Sequence, residues 1–109
     1  MRLSPQDPYD WIAFYGMAMA HFAAERYEEA VEWARRSVQR RTDWALGYRC
    51  LAASFARLGR DEDAQTALRE VLRLQPGYSI SHSRITLSSA DPGFMDRFLD
   101  GLRKAGLKE

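Results

Sequence analysis

The chain has 109 residues, 46% of them hydrophobic and 28% charged, enough for one compact domain and too little for two ordinary ones. Sixteen basic residues against fifteen acidic leave a formal net charge of +1, so no global field recruits nucleic acid, an anionic membrane or an acidic substrate. The single cysteine, Cys50, excludes an internal disulfide and a multi-thiolate metal centre, and it fits a reducing, cytoplasmic compartment.

Ahead of residue 11 stand Asp7, Asp10 and two prolines, where a signal peptide would carry a basic region. Residues 11–24 have no formal charge, yet fourteen residues at ~1.5 Å of helical rise fall short of the ~30 Å of a bilayer core. Membrane insertion is not expected. This stretch reads as the first helix, with Ile12, Tyr15, Met19 and Phe22 on one face and Phe14, Met17, Ala18 and His21 on another. A second helix is predicted over residues 27–40, with Glu28, Glu29 and Glu32 early and Arg35, Arg36 and Arg40 late, the order that complements the helix dipole. A third is predicted over 43–58 with Gly59 available as a left-handed C-terminal residue, and a fourth opens on Asp61, Glu62 and Asp63 and closes near Arg69 and Arg73. Residues 79–90 hold five serines among Ile80, Ile85 and Leu87 and read as a weaker helix. Asp91 then caps a last helix that starts at Pro92, carries the stripe Phe94, Met95, Phe98, Leu99 and Leu102, and closes at Gly106 with Leu107 folding back on Leu102.

The first half maps onto the second at an offset of 34 residues. Phe14 falls on Tyr48, Met17 on Leu51, Ala18 on Ala52, His21 on Phe55, Ala30 on Ala64, Ala34 on Leu68 and Val38 on Leu72, and boundary residues recur at Pro8, Thr42 and Pro76. The expected architecture is therefore all-α: residues 1–10 as the remnant of a preceding repeat, helical hairpins at 11–44 and 45–78, and a helix pair over 79–109.

At these residues the chain resembles the tetratricopeptide repeat family, whose hairpin follows W-x2-L-G-x2-Y, then A-x3-F, then P. The first copy reads Phe14-x2-Met17-Ala18-x2-His21, Ala30-x3-Ala34, Thr42; the second reads Tyr48-x2-Leu51-Ala52-x2-Phe55, Ala64-x3-Leu68, Pro76. His21, Ala34 and Thr42 depart from the pattern, as does Glu25 where a turn glycine is usual. The tail, Asp91-Pro92-Gly93-Phe94 and then residues 97–107, is similar to the C-terminus of bacterial proteins that join a class III adenylate cyclase domain to a long tetratricopeptide region. That resemblance implies the last piece of a signalling protein whose catalytic domain lies upstream.

A catalytic site would have to be built from His21, His82 or Cys50 and scattered serines. His21 and His82 occupy repeat positions that packing alone explains, and Cys50 reads as a small buried hydrophobe. Their spacings match no zinc pattern, the glycines form no phosphate loop, and the arginines at 35, 36, 40 and 41 end a helix that begins with glutamates. Neither a metal, a cofactor nor nucleic acid is expected. What remains is a surface for recognition. The repeat resemblance implies a concave groove showing Ile12, Tyr15, Met19 and Phe22, then Arg49, Ala53 and Arg57, then Ser83 and Leu87, with the two arginines placed to hold acidic side chains of a peptide. A neighbour in place of a peptide is the alternative cover for Tyr15, Met19 and Phe22. The uncharged first helix is apolar around most of its circumference, so self-association is expected, most simply as a two-fold dimer with Trp11, Phe14 and Tyr15 at or near the contact. The chain thus reads as a non-catalytic module that binds a protein or peptide, or that joins copies of its parent; an enzyme using His21 or Cys50 is the rival from another class.

Overall fold

The computed structural model describes residues 10–86 and 91–109, the side chains of 84–86 excepted. Six helices follow one another: α1 (Asp10–Ala23), α2 (Tyr27–Arg40), α3 (Ala45–Arg57), α4 (Asp61–Leu74), α5 (Ile80–Thr86) and α6 (Pro92–Ala105). No strand occurs among the described residues, so the chain is an all-α helical array.

The 34-residue offset survives as backbone geometry. Arg26 and Arg60 open α2 and α4 with φ, ψ of −96°, 76° and −91°, 74°. Neither arginine has a side-chain oxygen to cap the exposed amides, and the acidic first turns, Glu28 and Glu29 in one copy and Asp61 to Asp63 in the other, supply the negative charge instead. The hairpin turns also coincide: Glu25 at φ 61° matches Gly59 at φ 78°. Arg26 N–H donates to the His21 carbonyl at 2.8 Å as Arg60 N–H donates to that of Phe55 at 2.9 Å. The position that usually wants a glycine is left-handed in both hairpins, and the first fills it with a glutamate.

Helix α1 packs along α2, α3 along α4, and α3 stacks on α2. Small residues at the crossings, Ala18, Ala30, Ala34, Ala52, Ala56, Ala64 and Ala67, are all buried and let the helix axes approach. Two polar ties fix the N-terminal end: the Ser37 hydroxyl, fully buried, donates to the Trp11 carbonyl at 2.8 Å, and Arg40 meets the buried Asp10 carboxylate at 2.5 Å. The third helix begins at Ala45, two residues later than the periodicity predicts, with Trp44 in extended conformation before it.

The C-terminal third leaves the repeat scheme. Helix α5 has seven residues within the 79–90 segment, of which 87–90 lie outside the described residues, and it packs chiefly against α6. Helix α6 has the predicted ends. The Asp91 carboxylate accepts from Phe94 N–H at 3.1 Å, Pro92 occupies the first turn, and Gly106 takes φ 111° so that Leu107 N–H reaches the Leu102 carbonyl at 3.0 Å. The chain then runs back to α5, where Ile80 N–H donates to the Lys108 carbonyl at 2.9 Å. The main docking surface of α6 is α3, with a smaller contact to α4. This makes α3 the central helix, buried on nearly every side, whereas α1 has only Asp10, Ala18 and Phe22 buried.

Candidate functional site

The residues expected along one concave groove fall into three groups. Phe22, Ala53 and Arg57 are covered by α6. Phe22 is fully buried and takes the ring edges of Phe94 and Phe98 at centroid distances of 5.6 and 5.1 Å. Gly101 sits so close to α3 that an added Cβ would stand 2.8 Å from the Ala53 carbonyl oxygen. Arg57 holds Asp100 at 2.7 Å, and Arg97 donates to the Ala23 carbonyl at 3.2 Å. The occupant of this half of the groove is the chain's own last helix.

Tyr15, Met19, Arg49 and Ser83 form the second group. Together with Leu46, Tyr78 and Phe98 they line a cavity of about 190 Å³. Arg49 projects from the middle of α3, is 8% exposed, lies over the Tyr78 ring at 4.0 Å, and donates through Nη2 to the Gln75 side-chain oxygen. The Tyr78 and Ser83 hydroxyls are hydrogen-bonded to each other. Burial raises the Tyr15 hydroxyl well above its ordinary range and raises that of Tyr78, while desolvation lowers the Arg49 guanidinium. Both phenols are therefore protonated at neutral pH. Leu46, Tyr78 and Phe98 were not singled out in the sequence. Leu46 and Tyr78 belong to no pattern read from the sequence, and Phe98 was visible only as one member of an amphipathic stripe.

Ile12 is the third case, at 49% exposure on the outer face of α1; Leu87 lies outside the described residues. The residues expected at a self-contact have partners within the chain. Trp11 and Tyr15 both meet Trp44 edge-on at 4.5 and 4.8 Å, and Phe14 leans on Trp33 at 5.6 Å. All three are half-buried. The open face of α1 is instead Ile12, Gly16, Met17 and Ala20, one apolar stripe with no charge.

The candidates for chemistry lie apart. Cys50 is fully buried in α3, its thiol pushed up to about 12 by that burial, so it supplies no thiolate nucleophile near neutral pH. His21 Nδ1 accepts from Arg26 Nε at 3.0 Å, and His82 stands edge-on to Tyr78 at 5.5 Å. Among the described residues no three of His, Cys, Asp and Glu gather as metal ligands, and no helix is long and apolar enough to cross a membrane.

No family model matches the chain, and no solved structure matches it. A stretch of 39 residues, 36% of this chain, is 49% identical to a protein of Rhizobium meliloti (strain 1021) described as putative adenylate cyclase 3. That stretch is 7% of the relative's length, so the likeness concerns a small part of a much larger protein.

Proposed function

We propose that this chain is a non-catalytic interaction module of the tetratricopeptide type, belonging to a bacterial signalling protein of the adenylate cyclase kind. The observation that carries the interaction role is the outer face of α1. Ile12 and Met17 are 49% and 41% exposed, and Gly16 and Ala20 between and beyond them add no polar group. An uncharged stripe of this kind on an otherwise charged surface is the usual mark of a contact site. Small residues beside two large ones also let another backbone approach closely. The match to part of a putative adenylate cyclase supports the signalling parent, and the 34-residue hairpin geometry supports the repeat assignment.

A photo-crosslinking residue placed at Met17 tests the role: in cells expressing the chain it is expected to trap a polypeptide, whereas the same residue at Gln39, on the exposed end of α2, traps none. Equal labelling from both positions removes α1 as the contact. A trapped second copy of the chain selects the self-joining reading, which the same apolar face favours. The purified chain is expected to form no cyclic AMP from ATP in the presence of Mg²⁺ or Mn²⁺; formation of cyclic AMP overturns the non-catalytic assignment.

A further inference from the structure

Arg49 and Arg57 stand two turns apart on α3 and have been treated differently. Arg57 is ion-paired with Asp100. Arg49 is more deeply buried, yet among the described residues no carboxylate is paired with it: its one hydrogen bond goes to the neutral Gln75 amide, its flat face lies on the Tyr78 ring, and its Nε is buried without an acceptor. A desolvated guanidinium is costly unless a counter-charge joins it. It also forms part of the wall of the cavity between α1, α3, α5 and α6.

We propose that this cavity is a binding site for an organic carboxylate, whose charged group pairs with Arg49 and whose apolar body lies among Met19, Leu46 and Phe98. Three features define the ligand's chemistry. Among the described residues the wall holds one guanidinium and no second cation, which matches a single negative charge, so a dianionic phosphate would leave charge uncompensated. Tyr15, which lines the same cavity, carries a phenol hydroxyl that can donate to the anion as well. At about 190 Å³ the space exceeds the roughly 150 Å³ cavity known to admit benzene, so an acid with a ring or branched chain of that size fits. The acid is either a free metabolite or the terminal carboxylate of a polypeptide; both present the same group to Arg49. The site does not depend on the interaction role proposed for the outer face of α1, which lies away from it.

The test uses the whole 109-residue chain, titrated by calorimetry and by the Arg Nε–H NMR signals with benzoate, benzamide, inorganic phosphate, and Gly-Gly-Phe with a free or amidated C-terminus. Benzoate is expected to saturate and to move the Arg49 signal, with benzamide and phosphate at least about tenfold weaker, since a charge-assisted bond is lost or a second charge is unmet. Arg49→Met, which relieves an unpaired buried charge and so should fold, is expected to weaken benzoate at least about tenfold, while Arg69→Met on the exposed side of α4 leaves it unchanged. Saturation by the free peptide but not by benzoate or the amidated peptide supports the carboxylate site and assigns its source to a polypeptide. Failure of both benzoate and the free peptide to bind at about 10 mM, equal binding of benzamide, or full binding by Arg49→Met overturns the proposal.

Discussion

Glu25 and Gly59 hold the same left-handed turn 34 residues apart, and only one of them does so without strain. A side chain at positive φ costs on the order of 1 kcal/mol, partly offset by the entropy a glycine loses on folding. Glu25→Gly is therefore expected to raise the unfolding free energy by about 0.5 kcal/mol, and Gly59→Ala to lower it by about 1 kcal/mol, both read as shifts of the urea midpoint. Cys50 gives a pH dependence of definite sign. Its thiol titrates about 12 in the folded chain against an ordinary 9.0, so the folded state keeps a proton that the unfolded chain releases. That contribution is fully present below pH 9 and is lost as pH rises toward 12; the raised Tyr15 and Tyr78 hydroxyls act in the same direction at higher pH. Urea midpoints measured from pH 8 upward should fall beyond about pH 9, and Cys50→Ala should flatten the first part of that fall. A midpoint that stays level to pH 11 would mean that solvent reaches the thiol. At this scale the sequence was informative wherever the cause is local. The Asp91 cap, the Gly59 and Gly106 turns and the buried Cys50 follow from residues within a few positions of each other. The solitary Arg49 does not, because whether a cation is paired depends on what four separate helices place around it.

Helix α6 shows where local pattern stops being sufficient. Its stripe of Phe94, Phe98 and Leu102 announces an amphipathic helix, but a stripe says only that a face is buried, and nothing in its period selects α3 over the end of the array. Shape makes the selection. Gly101 allows α6 to come down on the Ala53 backbone, and Phe94 and Phe98 then reach Phe22, with Asp100 placed against Arg57. The signal was present in the sequence as a glycine in the interior of a helix, where it costs about 1 kcal/mol relative to alanine and so marks a close approach. Gly101→Leu is expected to lift α6 from α3 and to destabilise the chain by about 1–3 kcal/mol through overpacking. Helices α1 to α4 should keep their circular dichroism, because their hairpin contacts do not involve α6. Because Phe98 also walls the carboxylate cavity, the same substitution should weaken benzoate binding. A Gly101→Leu chain with unchanged stability and unchanged Phe22 surroundings in NMR spectra would show that α6 docks elsewhere.

The whole molecule measures 39 × 28 × 26 Å with a radius of gyration of 13.0 Å, the value of ~13 Å expected of a closed globule of about 100 residues. An open array would be longer; the return of α6 across α3 closes this one and moves the uncovered apolar surface from the groove to the outside of α1. A self-contact is then expected to centre on Met17 and Ile12, since Trp11, Phe14 and Tyr15 spend their rings on Trp44 and Trp33. The two sets of residues give different outcomes on substitution. Met17→Glu sets a charge on an exposed helix face, which alters the isolated chain little but must be desolvated when a second copy packs there. Phe14→Glu inserts the charge beside Trp33 inside the hairpin and so destabilises the single chain. Light scattering at several hundred micromolar is expected to show a dimer for the native chain and a monomer for Met17→Glu, whose melting temperature in dilute solution equals that of the native chain, while Phe14→Glu lowers it by about 10 °C, the shift that about 2–3 kcal/mol produces in a domain of this size. A native chain that stays monomeric at that concentration sinks the self-contact and leaves the face to a different polypeptide. A dimer that survives Met17→Glu but not Phe14→Glu would place the contact on the hairpin's aromatic side, and would require Trp33 to release Phe14 on association.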